Sequence, residues 1–165
     1  MNAKDLIWEN TSHGNRLKQA VAPWIGTKYG CGYPQQHSQA NCVTFIAAVY
    51  DVMCKMESPQ QLPAYSLNGD SYEGGHLAPL IRHLVERYDC HRLNPETNAV
   101  RAGDTLVVNA EGSRAENDQF GHLLLAMPHP YTVAHALYKK DVNLTSVVDY
   151  GKVLAVYRPR SQSQW

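Results

Sequence analysis

Cys42 follows Asn41 at the start of the most strongly periodic apolar segment of the chain, in which Phe45, Ile46, Val49, Tyr50 and Met53 recur at intervals of three and four. With Asn41 as N-cap, Cys42 falls in the first helical turn. Helix-terminal N–H groups and the helix dipole there favour a thiolate, and can lower a thiol pKa from about 8.5 to roughly 3.5–7.5. This is the setting of a nucleophile, and the backbone N–H of the same residue can help hold an oxyanion, an effect of roughly 2.7–4 kcal/mol per donor. Taken alone, Cys42 reads as a small buried residue. A base changes that reading, and the segment GHLLLAMPHPYTVAHALY supplies His122 and His135 on two adjacent expected strands. Pairing Ala126 with Tyr131 across the loop 127–130 sets the two histidines opposite each other on one face, with Cβ atoms about 4.5–5.5 Å apart. One imidazole can then take the thiol proton while the second fixes its ring and tautomer, the arrangement of a catalytic triad.

The elements that must carry these residues can be read from periodicity. Leu17, Ala20, Val21 and Trp24 predict a first helix over 15–25, ended by Pro23 and Gly26-Thr27. The second helix runs from Val43 to Met56, and a third from His76 to Tyr88, with Pro79 tolerated in its first turn. Between them, residues 57–75 collect turn formers and predict a long surface insertion. After Pro95 the chain changes to short β-rich runs: 105–108, 122–127, 131–138, 143–148 and 152–157. Helices first and strands afterwards predict an α+β fold with an antiparallel sheet of about five strands. A single domain is expected over 1–160, with 161–165 as a loose tail.

Composition narrows the function. At 165 residues and 18.5 kDa the chain can bury about 68–70% of its unfolded surface, so it needs no staples. Lys plus Arg (15) balances Asp plus Glu (15), which argues against a basic nucleic-acid binder and against a disordered acidic chain. Eight histidines make that balance sensitive to mild acid. Near the N-terminus only Leu6-Ile7-Trp8 is apolar, so neither a signal peptide of its own nor membrane insertion is expected. Cys31, Cys42, Cys54 and Cys90 form no C-x-x-C pair, which leaves no zinc-ribbon or thioredoxin motif.

Six segments stand in an informative order: W-I-G-T-K-Y (24–29), N-C-V-T-F (41–45), A-G-D-T-L (102–106), G-H-L-L-L (121–125), A-H-A (134–136) and Y-R-P-R (157–160). Together they resemble NlpC-type cell-wall cysteine peptidases of the papain-like superfamily, and most closely the compact forms associated with phage tails. The resemblance implies a papain-like α+β fold. It makes Cys42 the nucleophile, His122 the base and His135 the third polar residue, with Tyr29 placing a hydroxyl near the nucleophile and Asn41 lying in the oxyanion region. The implied activity is hydrolysis of peptide stems of bacterial peptidoglycan, at a γ-D-glutamyl-diaminopimelate or related amide bond, with no metal or organic cofactor. The implied place of action is the cell wall or periplasm. A chain made in the cytoplasm would reach it through a phage tail, a secretion apparatus or a lysis partner, or as a virion component, and an immunity protein is a further partner of such enzymes.

The sequence departs from the family pattern at several positions. Asn41 replaces an Asp, Val43-Thr44 replaces Ser-Gly, and Gly30-Cys31-Gly32 stands where Trp-Gly-Gly is common. These changes touch the cleft walls rather than the nucleophile. The stretches 57–75 and 111–120 are candidates to line the cleft, or plain solvated surface. Cys31 reads as incidental or as a redox partner of Cys42, and His37 as a loop histidine or a substrate contact. Asp104 is assigned to a turn entering a strand, and Trp24 and Phe45 to the core. Two other functions fit the same residues. A thiol acyltransferase or amidase on another acyl substrate shares the chemistry, although the acyltransferase relatives place histidine before cysteine. A structural component of a tail or secretion machine could keep the fold without the activity.

Overall fold

The strand that carries His122, β5 (Gly121–Ala126), is buried along its whole length. Its unbroken apolar run follows from cover on both faces. Leu123 and Leu125 enter a core shared with the helices, whereas Leu124 and Ala126 enter a second core on the opposite face. The computed structural model describes residues 1–30, 40–58, 77–109, 121–137 and 140–165, the side chains of 77–80 and 109 excepted.

Among the described residues, six antiparallel strands form the sheet, in the order β2 (Cys90–Leu93), β8 (Val153–Pro159), β4 (Thr105–Asn109), β5, β6 (Thr132–Ala136) and β7 (Val142–Ser146). A small parallel pair joins β1 (Trp8–Glu9) to β3 (Val100–Arg101). Among the described residues, three α-helices accompany the sheet: α1 (Gly14–Val21), α2 (Cys42–Met53) and α3 (Leu77–Tyr88). The α+β class expected from the sequence is therefore the observed one. Helix α2 touches α1, α3, β5 and β6, and buries Phe45, Ile46, Val49 and Tyr50 completely. Trp24 and Phe45 meet edge to face, ring centres 6.3 Å apart, inside this core. The Tyr50 hydroxyl donates to Gly103 O and bonds Thr105 Oγ1, each at 2.7 Å, which ties α2 to the turn that starts β4. Among the described residues, no helix is long and apolar enough to cross a membrane.

Some boundaries differ from expectation. The sheet gains β2, whose sequence Cys-His-Arg-Leu has little β character of its own and is held by pairing with β8. Helix α1 tightens into a 3-10 turn at Ala22–Trp24, and α2 stops at Met53, just before Lys55 takes a left-handed conformation (φ 53°). The tail is not loose. Arg160–Gln164 form a 3-10 helix, and Trp165 is buried against Tyr50 and His13 at ring distances of 5.8 and 5.4 Å. The expectation of a loose tail over 161–165 fails because the terminal indole supplies apolar surface that seats it in the core.

Candidate active site

Asn41 is extended (φ −121°, ψ 179°), and its Oδ1 accepts from the N–H groups of Val43 and Thr44, both at 3.0 Å. Thr44 Oγ1 accepts from the Asn41 N–H at 2.8 Å, which completes a reciprocal capping box. Thr44 thus has a structural reason at this position. Cys42 is the first residue of α2 and only 4% exposed. Residues 28–30 run alongside: Tyr29 bridges Ala40 in parallel, Gly30 N donates to Ala40 O at 3.0 Å, and Ala40 N donates to Lys28 O at 2.9 Å. Asn41 Nδ2 reaches Gly30 O at 3.3 Å. The fold therefore brings the Tyr29 backbone beside the start of α2.

The histidines are in contact, by a different register from the one expected. Ala126 pairs with Val133 and Leu125 with Ala134, a shift of two from the pairing of Ala126 with Tyr131. Tyr131 is instead a turn residue with φ 61°, and the bond from Met127 N to Thr132 O at 2.9 Å closes the hairpin. An even shift preserves the face of every side chain, so the imidazoles become diagonal neighbours on one face rather than direct opposites. His122 Nε2 lies 2.9 Å from His135 Nδ1, with ring centres 5.1 Å apart.

Two further residues complete the cluster. Asn143 sits directly across the β6–β7 ladder from His135, with Oδ1 3.1 Å from His135 Nε2. Tyr150, at the end of the 3-10 turn Val147–Tyr150, places its hydroxyl 3.0 Å from His135 Nδ1. Burial, helped by the neighbouring His135, pushes the His122 pKa down to about 3. Burial also lowers that of His135, with Lys140 adding to the shift and the Asn143 hydrogen bond opposing it. Both shifts favour the neutral imidazoles. Burial raises the Cys54 thiol and pushes Cys90 up to about 12, so neither supplies a thiolate. Cys31, His37, residues 59–75 and the loop 111–120 lie outside the described residues. Among the described residues no group of three His, Cys, Asp or Glu side chains is set to hold a metal ion.

No family model matches the sequence, and no curated protein matches it at a significant level. Solved structures do match. The NlpC/p60 domain of the peptidoglycan hydrolase SagA superposes with a TM-score of 0.51 over 88% of this chain and 97% of that domain, at 16% identity. A Staphylococcus aureus protein described as similar to a lipoprotein of the NLP/P60 family gives 0.53 over 94% of this chain and 44% of that one, at 13% identity. The fold is that of an NlpC/p60 domain.

On this NlpC/p60 fold, two of the sequence motifs prove to be one structural device. Asp104 of A-G-D-T-L is fully buried, and Arg158 of Y-R-P-R grips it with two bonds, Nε to Oδ1 at 2.8 Å and Nη2 to Oδ2 at 2.7 Å. Gln162 Nε2 and the Arg101 N–H also donate to this carboxylate, at 3.0 and 2.8 Å. With its acceptors so occupied, Asp104 joins the end of β3 and the start of β4 to the end of β8. Sequence reasoning missed Asn143 and Tyr150. Asn143 was legible only through the register that pairs Ala136 with Val142, and Tyr150 through no motif at all.

Proposed function

We propose that the protein is a cysteine peptidase that hydrolyses stem peptides of peptidoglycan. The observation that carries the proposal is the buried hydrogen-bonded pair His122–His135, in a fold whose helix α2 opens with Cys42 behind an Asn41 cap. Cys42 gives its proton to His122, and the thiolate attacks the scissile carbonyl carbon to form a tetrahedral oxyanion, which the backbone N–H of Cys42 helps hold. His122 then protonates the leaving amine as the C–N bond breaks and a thioester remains. Water, deprotonated by His122, attacks the thioester and releases the carboxylate, and the proton returns to the Cys42 sulfur. His135 orients His122, and Tyr29 contributes a hydroxyl beside the nucleophile.

The likeness to a domain of a peptidoglycan hydrolase supports the substrate class. The γ-D-glutamyl-diaminopimelate bond, and delivery by a phage tail or secretion apparatus, belong to the same proposal. Wild-type and Cys42→Ala protein incubated with purified diaminopimelate-type sacculi under reducing conditions, with released fragments identified by mass spectrometry, test it. Release by the wild type alone supports the proposal and names the bond. Equal release by Cys42→Ala, or no release by the wild type, overturns it in favour of another acyl substrate or a structural role.

A further inference from the structure

The hydrogen bonds around His135 start at a group whose role is fixed. The backbone carbonyl of Asp141 can only accept, and it lies 2.7 Å from Asn143 Nδ2. The amide orientation is therefore set, and Asn143 must turn its oxygen towards His135. That oxygen, 3.1 Å from His135 Nε2, is also acceptor-only, so neutral His135 carries its proton on Nε2. His135 Nδ1 is then a lone pair. The atom 2.9 Å away, His122 Nε2, must accordingly bear a proton, and the lone pair of His122 is left on Nδ1. The Tyr150 hydroxyl, 3.0 Å from His135 Nδ1, can donate to the same lone pair and, being a rotor, yields it when the imidazole N–H claims it.

We infer that Asn143 is a positioning residue that sets the proton order along the histidine pair and so makes Nδ1 of His122 the basic nitrogen. It touches neither substrate nor the reacting atoms and acts through His135. The catalytic part of the inference rests on the peptidase reading; the tautomer part does not. Without Asn143, nothing in this chain of bonds holds the His135 proton on Nε2. A proton on His135 Nδ1 would face His122 Nε2 and force the His122 proton onto Nδ1, where it abolishes the base. Asn143 is only half-buried on the edge strand β7, so its replacement leaves the core intact.

The test is long-range ¹H–¹⁵N NMR of the histidine side chains in Cys42→Ala protein near neutral pH, where no thiol shares a proton with His122. Both rings are expected as Nε2–H tautomers with unprotonated Nδ1. In Asn143→Ala on the same background, His135 should show a population protonated on Nδ1, whereas Tyr150→Phe should leave both tautomers unchanged. With Cys42 restored, Asn143→Ala should lower kcat on the order of 10- to 100-fold at unchanged KM, the scale of a misplaced reacting group. A His135 protonated on Nδ1 before any substitution, or tautomers indifferent to Asn143→Ala, overturns the inference. Failure of the wild type to open sacculi would instead sink the peptidase reading while the tautomer order stood.

Discussion

Acidification should destabilise the protein through His122, and the sign of the effect reports the resting state of the site. The imidazole is 6% exposed, and burial with the adjacent His135 lowers its pKa to about 3. In the unfolded chain it returns to about 6.5. Between these values the unfolded state binds a proton that the folded state refuses, so stability falls as pH drops through the window from about 6.5 to about 3. Moving from about pH 7 to about pH 5 costs roughly 1.36 kcal/mol for each pH unit below 6.5, or about 2 kcal/mol in all. Urea unfolding of wild type and His122→Gln at both pH values isolates this contribution, because the other histidines largely cancel in the difference of differences. The variant should lose about 2 kcal/mol less than the wild type on acidification. If instead the wild type holds a thiolate–imidazolium pair, the His122 pKa is raised, its stabilisation is present in acid and fades as pH rises, and the difference changes sign. Equal losses in the two proteins would refute the reasoning.

Three substitutions test the supports of the site. Asn41→Ala removes the acceptor of two helix-terminal N–H groups and should cost about 1 kcal/mol in urea unfolding, whereas Asn41→Asp, which can still accept both bonds, should keep most of that stability. Arg158→Ala strands the fully buried Asp104 carboxylate and should cost about 3–5 kcal/mol, with the paired change Arg158→Ala plus Asp104→Asn recovering part of it in the same assay. Gly103→Ala should lower the melting temperature by several degrees, because φ is +94° and the added Cβ would run into the Trp165 ring. A Gly103→Ala melting curve that overlays the wild type would show that the C-terminal indole is not seated against this turn.

The parts of the site that were legible in the sequence depend on short-range rules. Capping spans residues 41–44, so Asn41 and the place of Cys42 follow from local order alone. The shared face of His122 and His135 was legible for a different reason: side chains alternate with period two, and the register error happened to be two. The register itself was not legible, because it turns on the left-handed backbone of Tyr131, which a non-glycine residue seldom signals. Strand β2 and the seated tail escaped because both are held by partners far along the chain, β8 for the first and Tyr50 with Gly103 for the second. Asn143 escaped because its role exists only across a ladder.

The two halves of the proposed site are therefore supported in different ways. Cys42 is held by a cap whose members lie within four residues, and by the parallel contact with residues 28–30, so its position survives wherever α2 forms. The histidines have no such local support. Their contact rests on the β5–β6 register, and the further partners of His135 rest on the β6–β7 register and on Tyr150 from beyond β7, all near the β7 edge of the sheet. Edge pairings open more readily than central ones, since one side lacks a neighbouring strand. The histidine side of the proposed site is thus the part that partial unfolding disrupts first. Loosening of β7 would release Asn143 from His135 and, through it, the proton order of His122, while leaving the capped start of α2 in place.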